Sequence, residues 1–212
     1  MNSIWFDFDG TLIDVSERYF RVHEAICRHL SIVCFSKERY WQLLCEGTPT
    51  LEILKKADAA PHYQTYIESR NGMIEAPEYL AMDTLRKYAL ETLNRMKNKG
   101  MNVFLITGRD HTDNLHHQIE TLGIAPLFEK VYTIPHFGTW EDKYRILHKH
   151  CDASTPSYLI GDTARDIQAG QKAGYRTVAL LGGMTTPSRL RALKPDYLVS
   201  ELDELTGICL QP

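Results

Sequence analysis

Ile4-Trp5-Phe6-Asp7-Phe8-Asp9-Gly10-Thr11-Leu12 runs an apolar stretch into two carboxylates one residue apart and then into a glycine. Side chains alternate along an extended backbone, so Asp7 and Asp9 lean to one side and Phe8 to the other. Two acids gathered at a strand end repel each other unless a divalent cation or a cationic phosphoryl pocket offsets them. Gly10 permits a sharp turn and leaves backbone N–H groups to face an anion. Taken alone, the segment reads nearly as well as an edge strand ending in a solvated turn, because Asp-Gly is itself a turn signal.

Three later stretches repeat the arrangement. Met101-Asn102-Val103-Phe104-Leu105-Ile106-Thr107-Gly108-Arg109 is a second apolar strand that delivers a hydroxyl and a glycine. Lys143 opens a helix after the loop Thr139-Trp140-Glu141-Asp142. Tyr158-Leu159-Ile160 ends in Gly161-Asp162, with Asp166 four residues on. Acid pair, hydroxyl, lysine and acid pair, in that order, resemble the four motifs of the haloacid dehalogenase (HAD) superfamily.

A chain of 212 residues holds one sizeable core and a small second lobe. The formal net charge is -3 and no block of lysines or arginines reads as a nucleic-acid stripe. Cys27, Cys34, Cys45, Cys151 and Cys209 are odd in number and scattered, without CxxC spacing or a zinc-type cluster, so they read as reduced thiols. The chain starts in its first strand without a basic and apolar leader, and no apolar run approaches membrane-spanning length. The expectation is a cytoplasmic protein with no membrane partner, and the sequence carries no signal for its oligomeric state.

Periodicity divides the chain. Segments 15–30, 37–45, 50–59 and 62–70 carry apolar residues at three- and four-residue spacings, with Pro49 and Pro61 as start signals, and predict a small helical lobe. Ile32-Val33-Cys34-Phe35 fits a strand, a helix end or a loop. Beyond Pro77 helices at 84–99, 111–122, 143–150 and 165–173 alternate with strands at 101–109, 131–134, 157–160, 177–181 and 197–199. Such alternation predicts an α/β fold with a Rossmann-like, mainly parallel sheet and helices on both faces. Ligands in these sheets sit beyond the strands' carboxyl ends, where Asp7, Thr107 and Asp162 fall.

The HAD resemblance covers nearly the whole chain, with residues 1–14 and 81–212 as the α/β catalytic core and 15–80 as an inserted helical cap of the C1 type. It implies hinges near Asp14 and in the 77–82 region. It also implies a phosphatase, phosphoglycolate phosphatase-like, acting on a small phosphate ester. Asp7 would be the nucleophile that forms an aspartyl-phosphate, and Asp9 the general acid and base. Mg²⁺ would be held by Asp7, the backbone carbonyl of Asp9 and Asp162. Asp166 completes the acidic set, holding a metal water or Lys143. Thr107, Gly108 and Lys143 would bind the phosphoryl oxygens.

Asp9 argues against dehalogenation within the superfamily, since that chemistry does not keep a second motif acid. A phosphomutase has the same core motifs, but Tyr19 stands where such enzymes carry a cap-helix histidine and Val15 replaces a hinge threonine. The competing reading from another class is a non-catalytic phospho-ligand or partner-binding module. Glu46-Gly47-Thr48-Pro49, Arg18 and Arg21 are candidate cap contacts to substrate. Arg109 and Arg165 read as local charge partners. His111, His116 and His117 read as a solvated helix face, and Trp5, Phe6, Phe104 and Tyr158 as sheet core. Gly161, Gly182 and Gly183 read as tight-turn residues.

Overall fold

Ile4, Trp5 and Phe6 of the first strand, β1 (Ser3–Phe6), are all fully buried. Consecutive strand residues face opposite sides, so both faces of the sheet around β1 are covered. The computed structural model describes residues 2–151 and 155–210. After β1 come β2 (Ile13–Asp14) and the helices α1 (Ser16–Leu30), α2 (Lys37–Cys45), α3 (Thr50–Lys56), α4 (Tyr63–Met73) and α5 (Pro77–Leu80). Next come β3 (Thr84–Leu85), α6 (Ala89–Asn98), β4 (Asn102–Gly108), α7 (Thr112–Thr121), β5 (Lys130–Ile134) and α8 (Trp140–His150). The remainder is β6 (Ser157–Gly161), α9 (Ala164–Ala173), β7 (Arg176–Leu180), α10 (Pro187–Ala192), β8 (Tyr197–Val199) and α11 (Leu205–Cys209).

The chain forms two units, one of Met1–Asp14 with Leu85–Pro212 and one of Val15–Thr84. In the larger unit six strands pair in the order β5-β4-β1-β6-β7-β8, all parallel. Trp5 lies level with Phe104 on one side and Leu159 on the other. Its ring stacks on Phe104 at 4.4 Å and joins a core with Leu147 of α8 and Ala169 and Ala173 of α9. Tyr158 and Phe6 are likewise buried, as the sequence predicts. From β1 the chain adds β4 and β5 outward, then returns to add β6, β7 and β8 on the other flank. The order therefore reverses at β1, and the ends of β1, β4 and β6 share one edge of the sheet.

In the smaller unit α1 packs against α2, α4 and α5. Arg18 is completely buried there: Nε bonds Asp83 Oδ1 at 3.0 Å and Nη1 bonds the Ile74 carbonyl at 3.0 Å. A side chain so engaged is part of this unit's interior, not the free substrate contact suggested by its charge. Arg21 is exposed and pairs with Glu17 and Glu24.

Several boundaries differ from the periodicity. Residues 84–99 are not one helix: Thr84–Leu85 is a strand, Tyr88 takes a left-handed φ of 65°, and α6 starts only at Ala89. Lys143 does not open α8, which begins at Trp140 behind a capping box of Thr139 and Asp142. The third helix stops at Lys56, before Asp58 turns left-handed at φ 52°. Residues 32–35 form no regular element, and α10 and α11 carry too few turns to announce themselves by periodicity. No helix among the described residues is long and apolar enough to cross a membrane.

Candidate active site

Asp7 follows β1 directly, its N–H continuing the ladder to the Ile160 carbonyl at 2.9 Å. Lys143, in the second turn of α8, is buried and reaches it: Nζ donates to Asp7 Oδ1 at 2.5 Å and also to Asp166 Oδ1. The other oxygen of Asp166 accepts from Thr163 N at 3.0 Å and Thr163 Oγ1 at 2.5 Å, the capping box of α9. Asp166 therefore ends a helix with one oxygen and anchors a lysine with the other. One carboxylate is thus both a first-turn acid of α9 and the partner of Lys143.

Asp162 follows β6 and is completely buried. Thr11 Oγ1 donates to its Oδ1 at 2.8 Å and Met184 N to its Oδ2 at 2.6 Å. The backbone makes room for it. Gly10 turns at φ +82°, and a Cβ there would collide with the Asp162 carboxylate, as would one at Gly183. At Gly161 a Cβ would overlap Asp166. Gly161 and Gly183 thus serve the close approach of two carboxylates rather than a turn, while Gly182 has the positive φ of a turn, +77°.

Asp9 points elsewhere. Its two oxygens accept a fork from Arg109, Nε to Oδ2 and Nη2 to Oδ1, each at 2.6 Å. Arg109 follows β4 and is buried over the Phe8 ring. The Asp9 carboxylate is thus turned to Arg109, while the acidic group itself is Asp7, Asp162 and Asp166; the metal role expected of Asp9 is that of its backbone carbonyl. The N–H groups of Gly10, Thr11, Leu12 and Ile13 are also spoken for: the first bonds the Ile13 carbonyl, the others Phe8. That glycine turn closes on itself instead of offering those four groups to an anion.

Thr107 is buried near the end of β4, level with Thr133, and Gly108 follows with its carbonyl 3.2 Å from His136 Nδ1. Lys130 and Lys149, the other lysines near the motif, are exposed. Arg165 donates to the carbonyls of His136 and Gly138, at 3.1 and 3.0 Å, and its charge helps to hold Asp166 low, the local charge partner that the sequence suggests. His111, His116 and His117 are exposed and belong to no metal-competent group among the described residues.

Sequence reasoning missed Arg86. Its Nη1 bonds the Gly10 carbonyl at 2.6 Å and its Nη2 the Leu181 carbonyl at 2.7 Å, so one guanidinium ties together the two loops that flank Asp162. Nothing in the sequence around Arg86 marks it. Thr11 and Thr163 were readable: the first directly follows Gly10, and the second begins a Thr-x-x-Asp capping signature.

Asp7, Asp162 and Asp166 bring carboxylate oxygens within 4.8 Å of one another, all buried. Burial pushes Asp7 up to about 8 and Asp162 up to about 6, and the neighbouring acids add to both shifts. For Asp166 burial acts upward too, but Lys143 and Thr163 outweigh it and hold the carboxyl below its ordinary value. Lys143 is raised despite burial, because Asp166 and Asp7 favour its charge. The upward shifts of Asp7 and Asp162 mark a dry site in which one ammonium does not offset three acids, and hard oxygen donors of this kind fit a small divalent cation.

A parallel sheet thus gathers buried acids, a buried lysine and a buried hydroxyl at its carboxyl edge, where α/β enzymes place their ligands. The family model for haloacid dehalogenase-like hydrolase matches residues 4–180, and the chain belongs to that family. It is similar to pyrophosphatase PpaX of Oceanobacillus iheyensis, 24% identical over 98% of this chain and 96% of the relative. Phosphoglycolate phosphatase of Aquifex aeolicus is 25% identical, again over 98% and 96%. The solved haloacid dehalogenase-like family protein SP0104 of Streptococcus pneumoniae shares the fold, with a TM-score of 0.81 at 18% identity over 98% of this chain and 97% of that one.

Proposed function

We propose that the chain is a Mg²⁺-dependent phosphatase that hydrolyses a small phosphorylated metabolite through an aspartyl-phosphate on Asp7. The observation that carries this reading is the buried Lys143 ammonium shared between Asp7 and Asp166 beside Asp162. The names of the relatives, pyrophosphatase and phosphoglycolate phosphatase, support the same class.

Asp7, Asp162 and the Asp9 carbonyl would hold Mg²⁺, which supplies neutralising charge to the phosphoryl oxygens when bound. Asp7 attacks phosphorus, its orientation fixed by Lys143, which Asp166 in turn holds. Lys143 also stabilises charge that develops on the equatorial oxygens, together with the Thr107 hydroxyl and the Gly108 backbone. Asp9 protonates the leaving oxygen and then takes a proton from the water that attacks the aspartyl-phosphate. The Arg109 fork presents Asp9 as a carboxylate, the form needed for the second step. In the first step the fork must loosen so that Asp9 can carry its proton.

The test is phosphate release from pyrophosphate, phosphoglycolate, sugar phosphates, nucleoside monophosphates and an aryl phosphate, with Mg²⁺ or EDTA. Mg²⁺-dependent turnover, lost in Asp7→Asn, with a phosphoryl mass on the peptide containing Asp7 after acid quenching, is the expected result. Turnover that persists in EDTA or in Asp7→Asn would overturn the mechanism.

A further inference from the structure

The smaller unit brings together three side chains that the sequence scatters. His23 and Cys27 lie one turn apart on one face of α1, and Cys34 follows in the irregular segment after that helix. One ligand-type atom from each lies within 4.8 Å of the others. Cys27 Sγ is 3.6 Å from each His23 ring nitrogen. Bonds of about 2.3 Å to sulfur and 2.0–2.1 Å to nitrogen at a tetrahedral angle put those donors roughly 3.5–3.6 Å apart. The Sγ–Nε2 spacing equals the edge of such a tetrahedron, and the equal distance to Nδ1 shows that the thiol or ring must rotate to bring the sulfur beside the Nε2 lone pair when the ion binds.

We propose that His23 Nε2, Cys27 Sγ and Cys34 Sγ bind one Zn²⁺ ion, with the fourth position open to solvent beside Cys34. Thiolate and imidazole select this borderline-soft cation, whereas the all-carboxylate group of the larger unit selects a hard one. The site is independent of the proposed phosphatase chemistry.

The surroundings of His23 are those of a held ligand. Its Nδ1 lies 2.8 Å from Tyr66 Oη, and its ring stacks on Tyr40 at 3.9 Å with an interplanar angle of 3°. With the proton on Nδ1 donated to Tyr66, the Nε2 lone pair is left for a metal, the arrangement that fixes tautomer and ring plane in metal sites. Tyr66 Oη is in turn 3.4 Å from Tyr40 Oη. Burial pulls His23 down to about 4, so the ring is neutral and needs no deprotonation before ligating. Burial and the neighbouring Cys34 push the Cys27 thiol up to about 12, so the ion must displace its proton. Cys34 is exposed, which gives the ion an entry path.

Co²⁺ titration of the full, anaerobically reduced chain is the test, because thiolate ligation produces a sulfur-to-cobalt charge-transfer band that carboxylates cannot produce. The expected result is a band that saturates at one Co²⁺ per chain, is displaced by Zn²⁺ and persists in Asp162→Asn. Cys34→Ser, at an exposed position, should roughly halve the band at saturation and weaken Zn²⁺ binding by more than about 100-fold; Tyr66→Phe should keep the band and weaken binding by roughly 10–100-fold. Absence of the band in the reduced native chain, or an undiminished band with undiminished Zn²⁺ affinity in Cys34→Ser, would overturn the assignment. A purified chain that yields a Cys27–Cys34 disulfide and, once reduced, no cobalt band would identify a redox pair instead.

Discussion

Arg109 grips Asp9 with two parallel hydrogen bonds of 2.6 Å, so the second acid of the first motif is oriented by a residue that arrives a hundred positions later. A planar fork fixes a carboxylate in rotation as well as in distance, which a lysine cannot do. Arg109→Lys is expected to lower kcat roughly tenfold to a hundredfold, part of what general acid–base catalysis contributes, with KM little changed. Arg109→Ala should also destabilise the fold by on the order of 3 kcal/mol in denaturant titration, since it strips a buried ion pair of one partner. Unchanged kcat in Arg109→Lys would mean that Asp9 has no part in proton transfer.

Asp7→Asn separates chemistry from folding. It removes one of three clustered carboxylates while Lys143 keeps Asp166, so the chain should melt no lower than the native protein in EDTA. Turnover should fall by at least about 10⁴-fold, as for other nucleophile deletions. Lys143→Met is the contrasting variant, expected to lose both activity and stability, on the order of 3 kcal/mol or more, because two buried carboxylates lose their ammonium. Equal melting of the two variants would contradict this electrostatic account.

The metal-free protein should weaken toward alkaline pH. Asp7 at about 8 and Asp162 at about 6 stand above the ordinary 3.8, so the folded state holds their protons more tightly than the unfolded chain does. Their contribution is complete below the unfolded value and is lost as pH rises through about 6 and then about 8. Asp166, lowered, contributes in the opposite sense, and its share is lost only in acid. Melting in EDTA between about pH 5 and 9 should therefore fall with pH, and the stabilisation by Mg²⁺ should grow as fewer protons have to be displaced. A Mg²⁺ shift equal at both ends of the range would refute the proton–metal competition.

Arg86→Ala should act on metal affinity rather than on chemistry. Releasing the Gly10 and Leu181 carbonyls loosens both loops beside Asp162, and the Mg²⁺ concentration for half-maximal activity should rise roughly 10–100-fold. Saturating Mg²⁺ should restore most of kcat. A loss of kcat that no Mg²⁺ concentration repairs would place Arg86 in the reaction itself.

The parts of the site that were legible in the sequence are those where an apolar run stops abruptly at a polar residue. Asp7, Thr107 and Asp162 each follow or end a strand that is hydrophobic because it is buried on both faces, so burial and position are written in the same letters. Lys143 stood out from Lys130 and Lys149 only by its place between motifs, although the helix it belongs to starts three residues earlier. Tertiary pairings left no such trace. The choice of Arg109 by Asp9 and the reach of Arg86 to two loops depend on how distant segments pack, and the meeting of Cys34 with His23 on how the irregular segment after α1 folds back. Likewise, the left-handed Tyr88 that delays α6 has no periodicity to betray it.

β1 precedes every other strand of the sheet in the sequence, yet lies inside it between β4 and β6. β1 has no neighbour until β4 emerges, and its second flank stays bare until Ser157 and the residues after it arrive to pair with Ser3 and beyond. During synthesis, a run of Ile4, Trp5 and Phe6 with two unpaired edges must therefore wait until β6 emerges, exposed to the off-pathway strand pairing that such segments invite. The carboxylates that follow this run would then have a second use on the ribosome: charge at the end of a short sticky stretch discourages aggregation until the partners exist. A nascent chain arrested before β6 should accordingly be captured by chaperones that full-length chains escape.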